Sequence, residues 1–280
     1  MEMIFQKLNR TAIFGLIAAA LFIIGYFPAF KTLFGQWAKS EDYGHAFLVI
    51  PIIGYIVWSK LKAVLAADVR PSNIGLLLLI AATMVYLVAM HAKIDMVASV
   101  SMVMTLAATL VYLYGIHSIK VLSTPIILLL LIIPIPSTIY AAASLPLQLK
   151  VSQASQYIVS LLNVPAYREG NIITTPDKAF QIVQACSGMP SLMTLVTLSV
   201  IIGYFTLKSG YLKTLLVIAS LPVAMFVNVI RVVALILFFH FYQVDLSQGV
   251  SHTLLGLAVF SISLVALFAL QRILFVWERK

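Results

Sequence analysis

Long apolar runs separated by short polar breaks are the feature that most constrains this chain. Of its 280 residues, 62% are hydrophobic and only 10% are charged, whereas about a quarter of the residues in ordinary soluble domains are charged. A helix needs about 20 mainly apolar residues to cross the hydrocarbon core of a membrane. The sequence therefore predicts an all-α polytopic integral membrane protein that forms a single membrane domain over residues 1–280.

The apolar runs and their polar breaks predict about eight transmembrane helices. The first run is interpreted as a retained span, because Tyr26 and Pro28 follow it without a small-residue cleavage site. Pro134 and Pro136 predict an irregular end to the fifth span, because proline interrupts the helical hydrogen-bond ladder. The predicted spans lie near residues 11–30, 45–61, 73–91, 95–115, 119–135, 186–207, 211–240 and 251–276.

The segment between the fifth and sixth spans, residues 136–185, has a different character. Its first part, SLPLQLKVSQASQYIVSLLNVP, places apolar residues at helical spacing, which predicts an amphipathic helix at the membrane interface. Its second part, YREGNIITTPDKAFQIVQ, has β-branched runs interrupted by Pro-Asp, which predicts a short hairpin. The hairpin would deliver the chain to Cys186 at the outer end of the sixth span.

The distribution of basic residues predicts the orientation. With an even number of spans, both termini lie on one side of the membrane. Placing them in the cytoplasm puts eleven Lys and Arg residues inside and six outside, as the positive-inside rule requires. The same rule accounts for the net charge of +9, so no nucleic-acid partner is predicted.

Arg231 is the only basic residue in the interior of a predicted span, in the run LPVAMFVNVIRVVALILFF, because the others lie near the span ends. Moving arginine into hydrocarbon costs about 2.5–3.5 kcal/mol on insertion scales, so Arg231 is expected to face a polar cavity. Asn228 lies three residues earlier on the same helical face and is positioned to hold the guanidinium. The alternative is an arginine that snorkels to the headgroups, but His240 at the outer boundary is about 13 Å further along the helix.

Cys186 is the only cysteine in the chain, which excludes an internal disulfide and a cysteine-based metal cage. A buried structural thiol is the ordinary alternative for a free cysteine. The local sequence Cys186-Ser187-Gly188 opens the sixth span, where a helix N-terminus stabilises a thiolate. Gly188 leaves room for a substrate backbone to approach closely. No cofactor or metal site is predicted.

Two of the histidines on the outer side in this topology are candidates for the site. His252 opens the eighth span, and an interfacial histidine bound to headgroups is the alternative to a catalytic role. His45 precedes the second span and is a further candidate. Cys186, Arg231 and His252 would then approach one membrane face from three consecutive spans. In that arrangement a thiolate attacks a carbonyl, the histidine protonates the leaving amine and the arginine stabilises the oxyanion.

Several spaced motifs resemble those of the exosortase/archaeosortase family. The stretch ACSGMPSL is similar to the family's Ala-Cys-Ser-Gly-x-x-Ser-Leu block around the nucleophile, here Cys186. NVIR resembles its Asn-x-x-Arg block and maps the family's arginine to Arg231, and the histidine that opens the last span maps to His252. DYGHAFLVIP resembles its Tyr-Ser-His-Gly-x-Leu-Val-Pro stretch, on which Tyr43 and His45 fall. The resemblance runs from about residue 40 to 265.

The resemblance implies a membrane cysteine protease/transpeptidase that works through a thioester acyl-enzyme. Its substrates would be secreted proteins with a PEP-CTERM-like tail: a short motif such as Pro-Glu-Pro, a hydrophobic helix and a basic end. The new carboxyl end would pass to an acceptor whose identity stays open. The family's setting implies the bacterial inner membrane, with the active site facing the periplasm, and an association with exopolysaccharide production.

Two other interpretations stay open from the residues alone. In a polytopic transporter or lipid-linked sugar flippase, Arg231 would bind an anionic group and Cys186 would only pack. Against it, the sequence contains no inverted repeat and no pair of broken helices. A membrane acyltransferase would use the same thioester chemistry on a lipid donor.

Overall fold

The computed structural model describes residues 17–40, 42–65, 72–182, 189–247 and 249–279, with the backbone alone for 65 and 189–191. These residues are mostly helical and carry one small sheet. The helices are α1 Ile17–Gly25, α2 Phe27–Lys39, α3 Ala46–Leu65, α4 Asn73–His91, α5 Asp95–Tyr114, α6 His117–Val121, α7 Ser123–Leu131, α8 Ser137–Leu161, α9 Met189–Thr206, α10 Gly210–Tyr242 and α11 Gly249–Glu278. The strands are β1 Tyr167–Glu169, β2 Ile172–Thr174 and β3 Ala179–Gln181.

Within the described residues, five helices are long and apolar enough to cross a membrane: α3, α4, α5, α10 and α11. The number rises to six if α1 and α2, which meet at 62°, form one bent span. The predicted helical, multi-pass architecture is confirmed, whereas the predicted number of eight spans is not. Large apolar side chains are exposed along these helices, as expected where the surrounding solvent is lipid.

Three predicted spans differ from the observed helices. The first is interrupted at Tyr26, and Pro28 then lies in the first turn of α2, a position that proline favours because its missing N–H is not needed there. The predicted span 119–135 is divided at Leu122 into α6 and α7, and α7 has only 9 residues. The predicted span 186–207 corresponds to α9, whose described part counts among the shorter apolar helices.

The contact pattern divides the chain into two compact units, Met1–Ser40 with Ala46–Pro134, and Glu41–His45 with Ile135–Lys280. The first unit contains α1 to α7. Its polar groups bond in pairs between helices: the hydroxyls of Tyr26 and Thr105 lie 2.6 Å apart, and the Tyr86 hydroxyl donates to the Gly25 carbonyl at 2.9 Å.

The helices α4 and α5 approach each other closely at Gly75. A Cβ atom there would lie 2.3 Å from the backbone nitrogen of Tyr112, which is far inside van der Waals contact. Small residues allow such close helix packing in membranes, where apolar burial alone gives little driving force.

The second unit contains α8 to α11, the sheet and the short segment 42–45. The strands pair antiparallel in the order β1-β2-β3, with Ile173 opposite Arg168 and Phe180. The predicted hairpin is therefore the β2–β3 part of a three-stranded sheet. One buried cluster joins the sheet to α8 and to the second half of α10: Val151, Val159, Val164, Ile173, Phe180, Ile182, Val232 and Ile236.

Helix α8 has its polar face turned inward. Its buried positions include Tyr140, Ser144, Gln148 and Ser152, whereas large apolar side chains on the same helix, among them Leu145, are exposed. This is the reverse of a soluble amphipathic helix and suits contact with lipid outside and polar contacts inside. The buried polar face of α8 lies on the side of the strand residues that precede Cys186 in the chain.

Candidate active site

Among the described residues, Arg231 on α10 contacts His252 in the first turn of α11. Arg231 is only 6% exposed, and its Nη2 lies 2.7 Å from Nε2 of His252. A guanidinium has donors and no acceptor, so Arg231 donates and Nε2 of His252 accepts. In this arrangement His252 is a neutral imidazole with its proton on Nδ1.

The packing of α10 and α11 explains why the guanidinium reaches this histidine. Gly256 lies one turn after His252, and a Cβ atom there would come within 3.7 Å of Nη2 of Arg231. This is an ordinary van der Waals distance, so only a side chain longer than a methyl group at Gly256 would displace the guanidinium. Asn228, which the sequence places one turn before Arg231, is also buried, with 3% exposure.

The segment 42–45 lies against α9 and the start of α8. The Tyr43 hydroxyl accepts a hydrogen bond from the backbone N–H of Ile135 at 3.1 Å. Nδ1 of His45 lies 3.1 Å from the Asp42 carbonyl oxygen and 3.4 Å from Oγ1 of Thr194. Because a carbonyl only accepts, Nδ1 carries the proton and Nε2 keeps its lone pair.

Nε2 of His45 is buried and has no hydrogen-bond partner among the described residues. Burial lowers the pKa of His45, and the hydrogen bond to the Asp42 carbonyl opposes this only in part. The side chain is therefore a neutral imidazole with an available lone pair. This geometry is that of a base or of a hydrogen-bond acceptor for a bound group.

Tyr140 on α8 is a further candidate for the site, which the sequence analysis missed. Its hydroxyl is buried and makes no hydrogen bond within 3.5 Å to a described residue, although the Asp42 carboxylate is near enough to act on it. Burial, and then the negative charge of Asp42, raise the pKa of Tyr140. No local pattern distinguishes Tyr140 in the sequence, because only the fold brings Asp42 to it.

Polar contacts also fix the chain just before Cys186. The Asn171 side chain donates to the Ile182 carbonyl at 2.9 Å and to Oε1 of Gln148 at 3.0 Å, and the Ile182 N–H donates back to the Asn171 carbonyl at 2.9 Å. Gln148 is bonded in turn to Oγ of Ser144 at 3.1 Å. The end of β3 is thereby anchored to α8.

The predicted nucleophile and its neighbours, Cys186, Ser187 and Gly188, lie outside the described residues. Of the predicted catalytic set, the structure brings Arg231 and His252 into direct contact, and the roles of all three residues stay predictions. Tyr43 and His45 belong to a polar group with Asp42 and Thr194. Over the described part of the chain, no group of three or more His, Cys, Asp or Glu residues is arranged to hold a metal ion.

A comparison with protein families identifies a relationship that covers most of the chain. Residues 37–269, most of the chain, match the family model described as transmembrane exosortase. The matched stretch includes every residue named above as a candidate for the site. Searches of curated proteins and of solved structures found no match.

Proposed function

Because this chain belongs to the transmembrane exosortase family, we propose that it is a cysteine protease and transpeptidase embedded in the membrane. It cleaves the C-terminal sorting signals of secreted proteins and transfers the new carboxyl end to an acceptor nucleophile. Its substrates carry a PEP-CTERM-like tail with a hydrophobic helix that holds them in the lipid. The enzyme lies in the bacterial inner membrane, with both termini in the cytoplasm and the active site on the periplasmic side.

One observation carries the proposal: a buried arginine and a histidine from two apolar helices are in hydrogen-bond contact at 2.7 Å. A buried guanidinium is costly in a membrane protein and is kept where it has a function. Both residues occur in the stretch that matches the family. A packing role would not require either of them.

The contact suggests how the proton moves during the first half of the reaction. Before substrate binds, Arg231 donates to Nε2 of His252 and holds the imidazole neutral and oriented. When Cys186 attacks the scissile carbonyl, its thiol proton passes to Nε2, and the guanidinium turns to the new oxyanion. The imidazolium then protonates the leaving amine as the C–N bond breaks, and the carbonyl remains on sulfur as a thioester.

In the second half of the reaction, water or an amine attacks the thioester. The attacking group loses its proton to a base, the C–S bond breaks and Cys186 is released as a thiolate. Water gives hydrolysis and an amine gives transpeptidation. The arrangement of Arg231 and His252 serves both outcomes, because each passes through a tetrahedral intermediate that carries an oxyanion.

The test is processing of a secreted reporter with a tail of this kind, expressed together with the enzyme in bacterial membranes. Wild type is expected to convert the reporter to a shorter form, and Cys186→Ala is expected to leave it full length. Arg231→Met and His252→Ala should also leave it full length, whereas Lys213→Met, which removes a cation from the first turn of α10, should process normally. Processing by Cys186→Ala at the wild-type rate would exclude the thioester mechanism on Cys186.

A further inference from the structure

We propose that Lys178 and Asp245 form a positioning pair, through which the small sheet that leads into Cys186 also fixes the segment that leads into His252. This inference rests on the proposed function, because it assigns the pair a role in the same reaction. Lys178 closes the turn between β2 and β3, and Asp245 lies in the loop between α10 and α11. Neither residue was singled out by the sequence.

The turn that carries Lys178 is held by its own hydrogen bonds. The Thr175 N–H donates to the Lys178 carbonyl at 2.9 Å, and the Thr175 hydroxyl donates to the same carbonyl at 2.9 Å. The Lys178 N–H lies 3.2 Å from Oγ1 of Thr175. These hydrogen bonds fix the backbone at both residues, and they therefore fix the position of the Lys178 Cα from which the side chain extends.

From this turn, the Lys178 ammonium reaches the α10–α11 loop. Nζ donates to Oδ2 of Asp245 at 2.5 Å and lies 3.3 Å from Oγ of Ser247. The rings of Phe180 and Phe239 lie 5.6 and 5.2 Å from the same nitrogen, within the range of cation–π attraction. The ammonium is therefore held from several directions.

Asp245 passes this constraint on to the start of α11. Its Oδ1 accepts hydrogen bonds from the Ser247 N–H at 2.9 Å and from the Ser247 hydroxyl at 2.5 Å. Its carbonyl lies 3.3 Å from Oγ of Ser251, the residue directly before His252. The hydrogen bond from Lys178 and those from Ser247 lower the pKa of Asp245 to about 2, so the carboxylate stays charged at any physiological pH.

A second contact ties the same turn to the end of α10. Nδ1 of His240 lies 2.9 Å from Oδ2 of Asp177, the residue before Lys178. The turn thus holds the last helical turn of α10 as well as the loop that follows it. Arg231 and His252 lie on the two helices that this loop connects.

The other end of β3 is fixed equally well. Ile182 is bonded to Asn171, which is held by Gln148 on α8, and Cys186 follows four residues after Ile182. The chain that leads to Cys186 therefore follows the end of β3. The turn that contacts the loop before His252 lies at the beginning of the same strand. An exposed ion pair contributes little to stability, but a small misplacement of a reacting group lowers a rate strongly.

The experiment measures tail cleavage by purified enzyme in lipid vesicles with Lys178→Met, Asp245→Asn, the double variant and Lys178→Arg. Each single variant is expected to lower kcat about 10- to 100-fold, with KM changed less than about twofold and an unchanged unfolding midpoint. The double variant should lose no more than the worse single variant, because both remove the same contact. Lys178→Arg retains a cation of similar reach and should recover most of the rate.

Arg168→Met provides the matched control, because it removes a partly exposed cation from β1 whose described hydrogen bond is to the Gly170 carbonyl. It should leave kcat unchanged. Wild-type kcat in Lys178→Met and Asp245→Asn would overturn the inference. So would a loss of kcat in the double variant that equals the product of the two single losses. A fall in kcat that is accompanied by a lower unfolding midpoint would also overturn it. Cys186→Ala in the same assay separates this failure from failure of the proposed function, since it is inactive whenever the thioester mechanism holds.

Discussion

Replacing Arg231 by lysine tests the role of the guanidinium most sharply, because the positive charge remains. In the wild type, Nη2 of Arg231 donates to His252 at 2.7 Å and the side chain is only 6% exposed. A guanidinium presents several donors in one plane, whereas an ammonium is a compact point charge. Lysine is therefore expected to satisfy His252 or the oxyanion, but not to pass from one to the other during the reaction.

The size of the effect follows from this geometry. Loss of one preorganised oxyanion donor lowers kcat by about 10²–10³-fold, which is about 2.7–4 kcal/mol of transition-state stabilisation. Loss of a hydrogen bond to a charged group lowers the free energy of unfolding by about 1.5–3 kcal/mol. Because Arg231→Lys removes a preorganised donor in buried surroundings, we expect kcat to fall by at least about 100-fold. Because the positive charge is retained, we expect the variant to keep the fold.

The assay is single-turnover cleavage of a tail-bearing substrate by purified enzyme in lipid vesicles, with thermal unfolding measured on the same samples. Arg272→Lys on α11 is the matched control, since it makes the same substitution in a helix of the same unit, where Arg272 lies 5.6 Å from the Phe275 ring. It should cleave at the wild-type rate. Retention of more than about a third of the wild-type rate by Arg231→Lys would refute the two-partner role of the guanidinium.

Three further predictions concern close contacts. Gly256→Ala should keep normal cleavage, because its Cβ would lie at an ordinary 3.7 Å from Nη2 of Arg231, whereas Gly256→Leu should displace the guanidinium and lower kcat without preventing insertion. Gly75→Ala should lower the unfolding midpoint, because its Cβ would lie 2.3 Å from the backbone of α5, whereas Gly54→Ala, with nothing within 4 Å, should not. Tyr140→Phe should leave the unfolding midpoint unchanged or higher, because it removes a buried hydroxyl that makes no hydrogen bond to a described residue, and a lower midpoint would show that the nearby Asp42 carboxylate or water satisfies that hydroxyl.

The helices were predictable where lipid alone dictates them. An uninterrupted apolar run must satisfy its backbone internally, so the predicted span 73–91 agrees with α4 and 95–115 agrees closely with α5. The division at Leu122 and the bend at Tyr26 were not predictable, because apolar runs continue across both positions. The strand β1 also escaped prediction, because three residues, Tyr-Arg-Glu, carry no periodic signal.

The candidate site was predictable only in part, for a similar reason. Arg231 was recognisable because a charge within an apolar run is rare, and its contact with His252 follows from two neighbouring helices. Asp42 with Tyr140, and Lys178 with Asp245, are polar residues in ordinary surroundings that only the fold brings together. Their partners lie far away in the sequence, so no local spacing indicates them.

The central claim is that Cys186 carries the cleaved substrate as a thioester. Mass spectrometry of enzyme quenched during turnover tests it directly. The account predicts an adduct on the peptide that contains Cys186. Its mass is that of the substrate portion that ends at the new carboxyl end, without the tail, and hydroxylamine releases it. Full tail removal with an unmodified Cys186 at every time point, and equal turnover by Cys186→Ala, would contradict the account.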